Sequence, residues 1–244
     1  MPEVEVCADG DALMTAAAET VVRAAAEAIE ESGRFTLALS GGTTPKRLFQ
    51  LLATPGYAAR IDWAHVYACF GDERCVPPND PASNYRMARE ALLDRVPIPP
   101  EQVLRMRGED DPVTAAADYE RALREVVGNR TRLDLVLLGM GDNGHTASLF
   151  PGMTAVHEHT RWVVAEHIPE VGMWRITLTP AAINAAAEVV FLVSGAGKAP
   201  ILARVLEGPR QPDVLPSQVV APTNGTLRWL VDAAAAAQLK QEAR

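Results

Sequence analysis

The chain has 244 residues, 48% of them hydrophobic and 5% aromatic, with 31 acidic against 23 basic side chains and a formal charge of −8. That length suits one large domain or two small ones with a substantial core, and the acidic balance argues against a nucleic-acid partner, because neutralising phosphates needs a basic face. Three cysteines (Cys7, Cys69, Cys75) make no disulfide framework, no apolar run reaches membrane length and the first residues lack a charged-then-apolar leader, so a reduced, cytoplasmic protein without a membrane partner is expected.

Glu3 to Cys7 alternates polar and apolar residues and reads as a short edge strand. Asp9 or Asp11 can cap a helix to about Glu31, and Gly33 closes it. Phe35 to Leu39 reads as a buried strand that runs straight into SGGTTPKRLF. There Gly41 and Gly42 permit a turn and Pro45 suits the first turn of a helix. Strand, glycine turn and helix start together offer free N–H groups to an anion, with Thr43 and Thr44 adding hydroxyls. The plainer alternative is an ordinary connection capped by Thr44. The spacing is not that of a dinucleotide fingerprint.

Ala64 to Phe70 reads as the next buried strand, followed at its carboxyl end by Gly71, Asp72, Glu73 and Arg74. Three charges there must face solvent, pair, or meet a ligand, and Arg74 can clamp a phosphate. A proline-rich loop leads to a helix from Ser83 or Asn84 to about Arg95, then a linker from Pro97 to Pro100, then a helix capped by Asp111 and ended by Gly128. The stretch LDLVLLGMGDNGHTASLFPG, Leu133 to Gly152, opens with the apolar run Leu135 to Leu138 and places His145 just past a glycine turn. A histidine beyond a strand's carboxyl end is suited to proton exchange near neutral pH.

Trp162 to Glu166 and Arg175 to Leu178 read as strands, Pro180 to Ala187 as a helix capped by Thr179, and Glu188 to Val193 as another buried strand. SGAGK follows, putting Lys198 at a helix start, although Ala199 stands where a P-loop has Ser or Thr. Gly208 to Gly225 is loop-rich, and Thr226 to Leu239 reads as a short strand and an alanine-rich closing helix. His157, Glu158 and His159 do not match a zinc-helix pattern and read as exposed loop. Ser148 sits in no nucleophile elbow.

The repeated β-α pattern predicts an α/β fold, a mostly parallel sheet with helices on both faces. No repeat or long linker divides the chain, so residues 1–244 read as a single domain. The turns around Gly41, Asp72, His145 and Lys198 then share one sheet edge and converge on one cleft. A phosphorylated small molecule fits that set of backbone donors, cations and one histidine.

Five ordered segments carry a resemblance to the 6-phosphogluconolactonase family: SGGTTP, GDERCVPP with the later SNY, LLGMGDNGHTASLFPG, RITLT and FLVSGAGK. The closing LRWLVDAAAAAQL is similar to that family's last segment. The resemblance implies a Rossmann-like fold and hydrolysis of 6-phospho-D-glucono-1,5-lactone to 6-phosphogluconate in the oxidative pentose phosphate pathway. It implies no required cofactor and a phosphorylated sugar lactone as the partner; the residues offer no zinc or magnesium ligand set, and a monomer or small homo-oligomer is expected. It makes His145 the base that activates water, and Gly41, Gly42, Thr43, Arg74, Arg175 and Lys198 the groups that hold phosphate and sugar oxygens. Asp72 shapes the same pocket. The family's usual order is Asp-Gly-His, whereas here Asn143 precedes Gly144 and Asp142 lies one place early. Asn143 and Asp142 are therefore both candidates for orienting the base. The segment before Arg175 also lacks the family's proline. Two other functions suit the same residues: an isomerase or deaminase of amino-sugar phosphates, which needs a second acid or base, and a sugar-phosphate sensor without turnover.

Overall fold

Apolar runs and their capping residues fix most of the architecture of the computed structural model, which describes residues 3–240. The chain begins with strand β1 (Glu3–Cys7), helix α1 (Gly10–Ser32), strand β2 (Phe35–Leu39), helix α2 (Thr43–Leu52) and the single turn α3 (Pro55–Ala58). Strands β3 (Val66–Phe70) and β4 (Asp72–Arg74), helices α4 (Asn84–Ala91) and α5 (Pro112–Val127) and strand β5 (Leu135–Leu138) follow. The remainder comprises strands β6 (Val163–Ile168) and β7 (Met173–Leu178), helix α6 (Pro180–Ala185), strand β8 (Glu188–Val193), helix α7 (Ala199–Glu207) and strand β9 (Thr226–Asp232).

Six strands form a wholly parallel sheet in the order β1-β9-β8-β5-β2-β3. Its central strands β2, β5 and β8 are buried at every residue, which is why they read as unbroken apolar runs instead of alternating ones. Helices flank the sheet. α1 packs on β1, β2 and β9, and α2 packs on α1 and α4. Asp9 caps α1 by accepting from the N–H groups of Asp11 and Ala12 at 2.9 Å, and Gly33 ends it in the left-handed conformation (φ 73°). The fold class expected from the β-α pattern is the one observed.

A second sheet was not expected. β4, β7 and β6 form a three-stranded antiparallel sheet against which α5 packs. Gly71 joins the two sheets: its N–H donates to Leu39 O and its carbonyl accepts from Leu178 N–H, both at 2.8 Å. The segment Asp72–Arg74, expected as a charged turn, is thus a strand paired with β7 in the register Asp72↔Thr177 and Arg74↔Arg175. Its charges are tolerated because Asp72 and Glu73 are buried against hydrogen-bond donors.

Other boundaries shift for local reasons. The helix from Ser83 ends at Ala91, and Leu93–Arg95 form a separate 3-10 turn. α2 is capped by Gly42 rather than Thr44, and α6 stops at Ala185. The alanine-rich closing helix is instead a 3-10 turn, Ala235–Gln238, held by Asp232 accepting from Ala235 N–H at 2.7 Å. A run that short gains too little from propensity to sustain an α-helix.

Candidate active site

The parallel strands end at a common edge, and three of their carboxyl-terminal loops border a cavity of about 600 Å³. The loop after β2 contributes Ser40 to Pro45, the loop after β5 contributes Gly139 to Asn143 and His145, and the loop after β8 contributes Ser194 and Lys198. The antiparallel sheet closes the side with Asp72, Arg74 and Arg175. Every candidate site residue named from the sequence lines this one cavity: His145, Gly41, Gly42, Thr43, Asp72, Arg74, Arg175, Lys198, Asn143 and Asp142.

The glycine turn is shaped for close approach. A methyl group at Gly41 would run into the Asn84 amide, and Gly42 adopts φ 102°, which side chains disfavour. No side chain caps α2, so the N–H groups of its first turn stay available to an anion in the cavity.

His145 is held on several sides. Its Nδ1 lies 2.6 Å from Asn143 Oδ1, and its backbone N–H donates to the same oxygen at 3.1 Å. An amide oxygen only accepts, so Nδ1 carries the ring proton and Nε2 presents a lone pair. The ring stacks on Phe150 with centroids 4.1 Å apart. A methyl group at Gly141 would strike the imidazole, and Gly144 (φ 79°) is pinned by two Ser217 donors to its carbonyl, each at 2.9 Å. Burial pushes the imidazole below its ordinary pKa. Asp72 opposes that shift, Lys198 and Arg175 reinforce it, and Glu170 opposes it weakly.

Asp72 is fixed at both oxygens: Ser148 Oγ donates to Oδ2 at 2.7 Å and Asn84 Nδ2 to Oδ1 at 3.1 Å. Arg74 is anchored through Nη1 to Ala82 O at 2.5 Å, while its buried Nε has no protein partner. The Nε of Arg175 is likewise buried and unpartnered, and burial pushes this guanidinium below its ordinary pKa. Two neighbouring strands thus bring a pair of arginines to one wall, a concentrated positive charge on an acidic protein. Lys198 Nζ pairs with Asp142 Oδ1 at 2.5 Å. Of the two candidates for orienting His145, it is therefore Asn143 that touches the ring, while Asp142 lies in solvent on Lys198.

Some sequence readings fall outside the site. Glu73 turns away from it and caps α4, accepting from Asn84 N–H at 2.7 Å and Tyr85 N–H at 2.8 Å; burial raises its pKa despite these donors. His157 is exposed and sits 2.6 Å from Asp213. No group of three or more His, Cys, Asp or Glu capable of holding a metal occurs among the described residues. Three polar residues were not expected at the site: Asn84, read only as a helix start, and Glu170, both of which line the cavity, and Ser148, dismissed as a nucleophile, which stands behind Asp72. For Asn84 the SNY motif carried a signal.

Residues 8–229 match the family described as glucosamine-6-phosphate isomerases/6-phosphogluconolactonase. A protein of Nostoc named 6-phosphogluconolactonase is 42% identical over 241 residues, covering 97% of this chain and 98% of that one. The crystal structure of 6-phosphogluconolactonase from Leishmania guyanensis superposes with a TM-score of 0.85 at 31% identity, covering 98% of this chain and 99% of its own. A monomeric glucosamine-6-phosphate deaminase shares the fold, with a TM-score of 0.82 at 21% identity over 97% of this chain and 99% of its own.

Proposed function

The chain belongs to the glucosamine-6-phosphate isomerase/6-phosphogluconolactonase family, and from that premise we propose how its cavity works. The protein is a lactone hydrolase that converts 6-phosphogluconolactone to 6-phosphogluconate in the pentose phosphate pathway. His145 is the general base. The observation that carries this reading is the Asn143–His145 contact, which commits the ring proton to Nδ1 and leaves Nε2 free to take one from water. A lowered pKa keeps that nitrogen unprotonated at neutral pH.

The step balances without a metal or a covalent intermediate. Nε2 removes a proton as the water oxygen attacks the lactone carbonyl, and the carbonyl oxygen takes the negative charge. When the tetrahedral intermediate collapses, the ring C–O bond breaks and the imidazolium returns its proton to the departing oxygen. Arg74, Arg175, Lys198 and the first-turn N–H groups from Gly42 to Thr44 divide between the substrate phosphate and the developing oxyanion. Gly41 lets the backbone approach, and Asp72, held by Ser148 and Asn84, shapes the same pocket.

We place the protein in the cytoplasm as a single domain over residues 1–244, a monomer or small homo-oligomer that takes a phosphorylated sugar lactone and binds no nucleic acid. Its three free cysteines support a reducing compartment, and the contiguous core supports one domain. Among the described residues no helix is long and apolar enough to cross a membrane. A second reading, amino-sugar phosphate isomerisation or deamination, draws on Asp72 as the second acid or base in the cavity beside His145. Acid release from freshly generated 6-phosphogluconolactone, above the spontaneous background, tests the first reading. Ammonia or a ketose from an amino-sugar phosphate would favour the second.

A further inference from the structure

We propose that Glu170, at the turn between β6 and β7, is a positioning residue for His145 that acts through Asn143. This rests on the reading of His145 as the base. Both Glu170 carboxylate oxygens lie 3.1 Å from Asn143 Nδ2, the amide whose oxygen faces His145 Nδ1 at 2.6 Å.

The chemistry of that chain is directional. A carboxylate only accepts, so it selects the amide rotamer that points NH₂ toward residue 170 and C=O toward the imidazole. Reversing the amide would set its oxygen against two carboxylate oxygens and its NH₂ against a backbone N–H and the ring. Glu170 and the His145 backbone N–H together therefore decide which atom of Asn143 meets the ring, and through it which ring nitrogen is left to act as base. Resemblance to the family leads one to expect a carboxylate at residue 143. Here the residue that touches the ring is neutral, and the carboxylate stands one link further out on a separate hairpin.

That arrangement also carries charge. When Nε2 takes a proton the ring becomes cationic, and a negative group at the far end of a polarised amide favours that state. The other charged groups around the ring are Asp72 on β4, Arg175 on β7, and Lys198 after β8 with its partner Asp142. None of them contacts the Asn143 amide. Glu170 is exposed at a hairpin turn, so the fold does not depend on it.

The test combines Glu170→Gln, Asn143→Asp and the double variant. Glu170→Gln should lower kcat roughly tenfold with little change in KM, the low end of the effect of removing a group that orients a metal-bound imidazole. Its acidic limb should move to lower pH, because a negative charge near the ring has gone. Asn143→Asp should move the limb to higher pH and should also lose turnover, since it opposes two carboxylates. In the double variant the carboxylate at residue 143 meets the ring without that opposition, and turnover should recover above Asn143→Asp alone. An unmoved limb in Glu170→Gln, or a double variant no better than Asn143→Asp, would overturn the proposal. Nitrogen-15 shifts of His145 separate this inference from the reading beneath it. A tautomer and titration unchanged by Glu170→Gln defeat the relay, whereas full turnover in His145→Ala defeats the base.

Discussion

The Ser148 hydroxyl donates to Asp72 Oδ2 at 2.7 Å, tying the loop that carries His145 to the antiparallel sheet that carries Arg175. Both side chains are buried, and the Ser148 N–H reaches Thr177 Oγ1 on β7 at 3.1 Å, so this loop is bonded to two strands of the second sheet. Removing the hydroxyl leaves a buried carboxylate oxygen short of a donor, which costs about 1–3 kcal/mol. Ser148→Ala should therefore lower Tm by roughly 2–12 °C in a chain of this size. Calorimetry checks it, and an unchanged Tm would show that water replaces the hydroxyl at no cost.

His145→Ala should reduce turnover by about 10²–10⁴-fold, the usual contribution of a general base. Product affinity should stay close to that of the unmodified protein, because proton transfer belongs to the transition state. Initial rates on freshly made lactone, corrected for spontaneous opening, and calorimetric binding of 6-phosphogluconate measure the two separately. Full turnover in the variant would remove the base from His145.

Arg74→Ala, Arg175→Ala and Lys198→Ala should impair the phosphorylated lactone more than unphosphorylated gluconolactone. Charge-assisted hydrogen bonds contribute about 1.5–3 kcal/mol, so each lost phosphate contact corresponds to roughly a tenfold to hundredfold fall in kcat/KM. A variant that loses equally on both substrates marks its cation as serving the oxyanion instead.

Activity should persist to lower pH than an unperturbed imidazole allows. The His145 pKa is depressed from 6.5, chiefly by burial, so the unprotonated base remains available below that pH. The acidic limb of kcat/KM should accordingly fall below pH 6.5. Asp142→Asn should move the limb only slightly, because that carboxylate bonds Lys198 and not the ring. A limb above pH 6.5, or a large shift in Asp142→Asn, contradicts the geometry.

The parallel sheet was legible because β2, β5 and β8 are buried on both faces and leave uninterrupted apolar runs. The caps Gly33 and Asp111, and Asp9 as one of two candidates with Asp11, were legible because they act on chain neighbours. The second sheet was hidden, since β4 is three charged residues with little β-propensity and its partner β7 lies about a hundred residues away. The same locality rule divides the site. Residues on glycine turns at strand ends announced themselves, including His145 and Gly42. Glu170 and Ser148 act only through neighbours that the fold brings from elsewhere; nothing flanking Glu170 marks it, and Ser148, though inside the motif around His145, shows its partner Asp72 only in the fold. Between Asn143 and Asp142 spacing left the choice open; in the fold the Asn143 side chain meets the ring and Asp142 meets Lys198.

The hairpin that bears Glu170 and Arg175 also bears Trp174, and this gives the protein an optical property. Of its four tryptophans, Trp63, Trp162 and Trp229 are no more than 7% exposed, whereas Trp174 is 41% exposed. Its indole meets the His167 ring edge-on with centroids 5.8 Å apart. A dissolved collisional quencher therefore reaches one fluorophore, and that fluorophore rides on the strand next to Arg175. Where a ligand in the cavity alters the exposure of this indole, the quenchable part of the native emission reports it with no label attached.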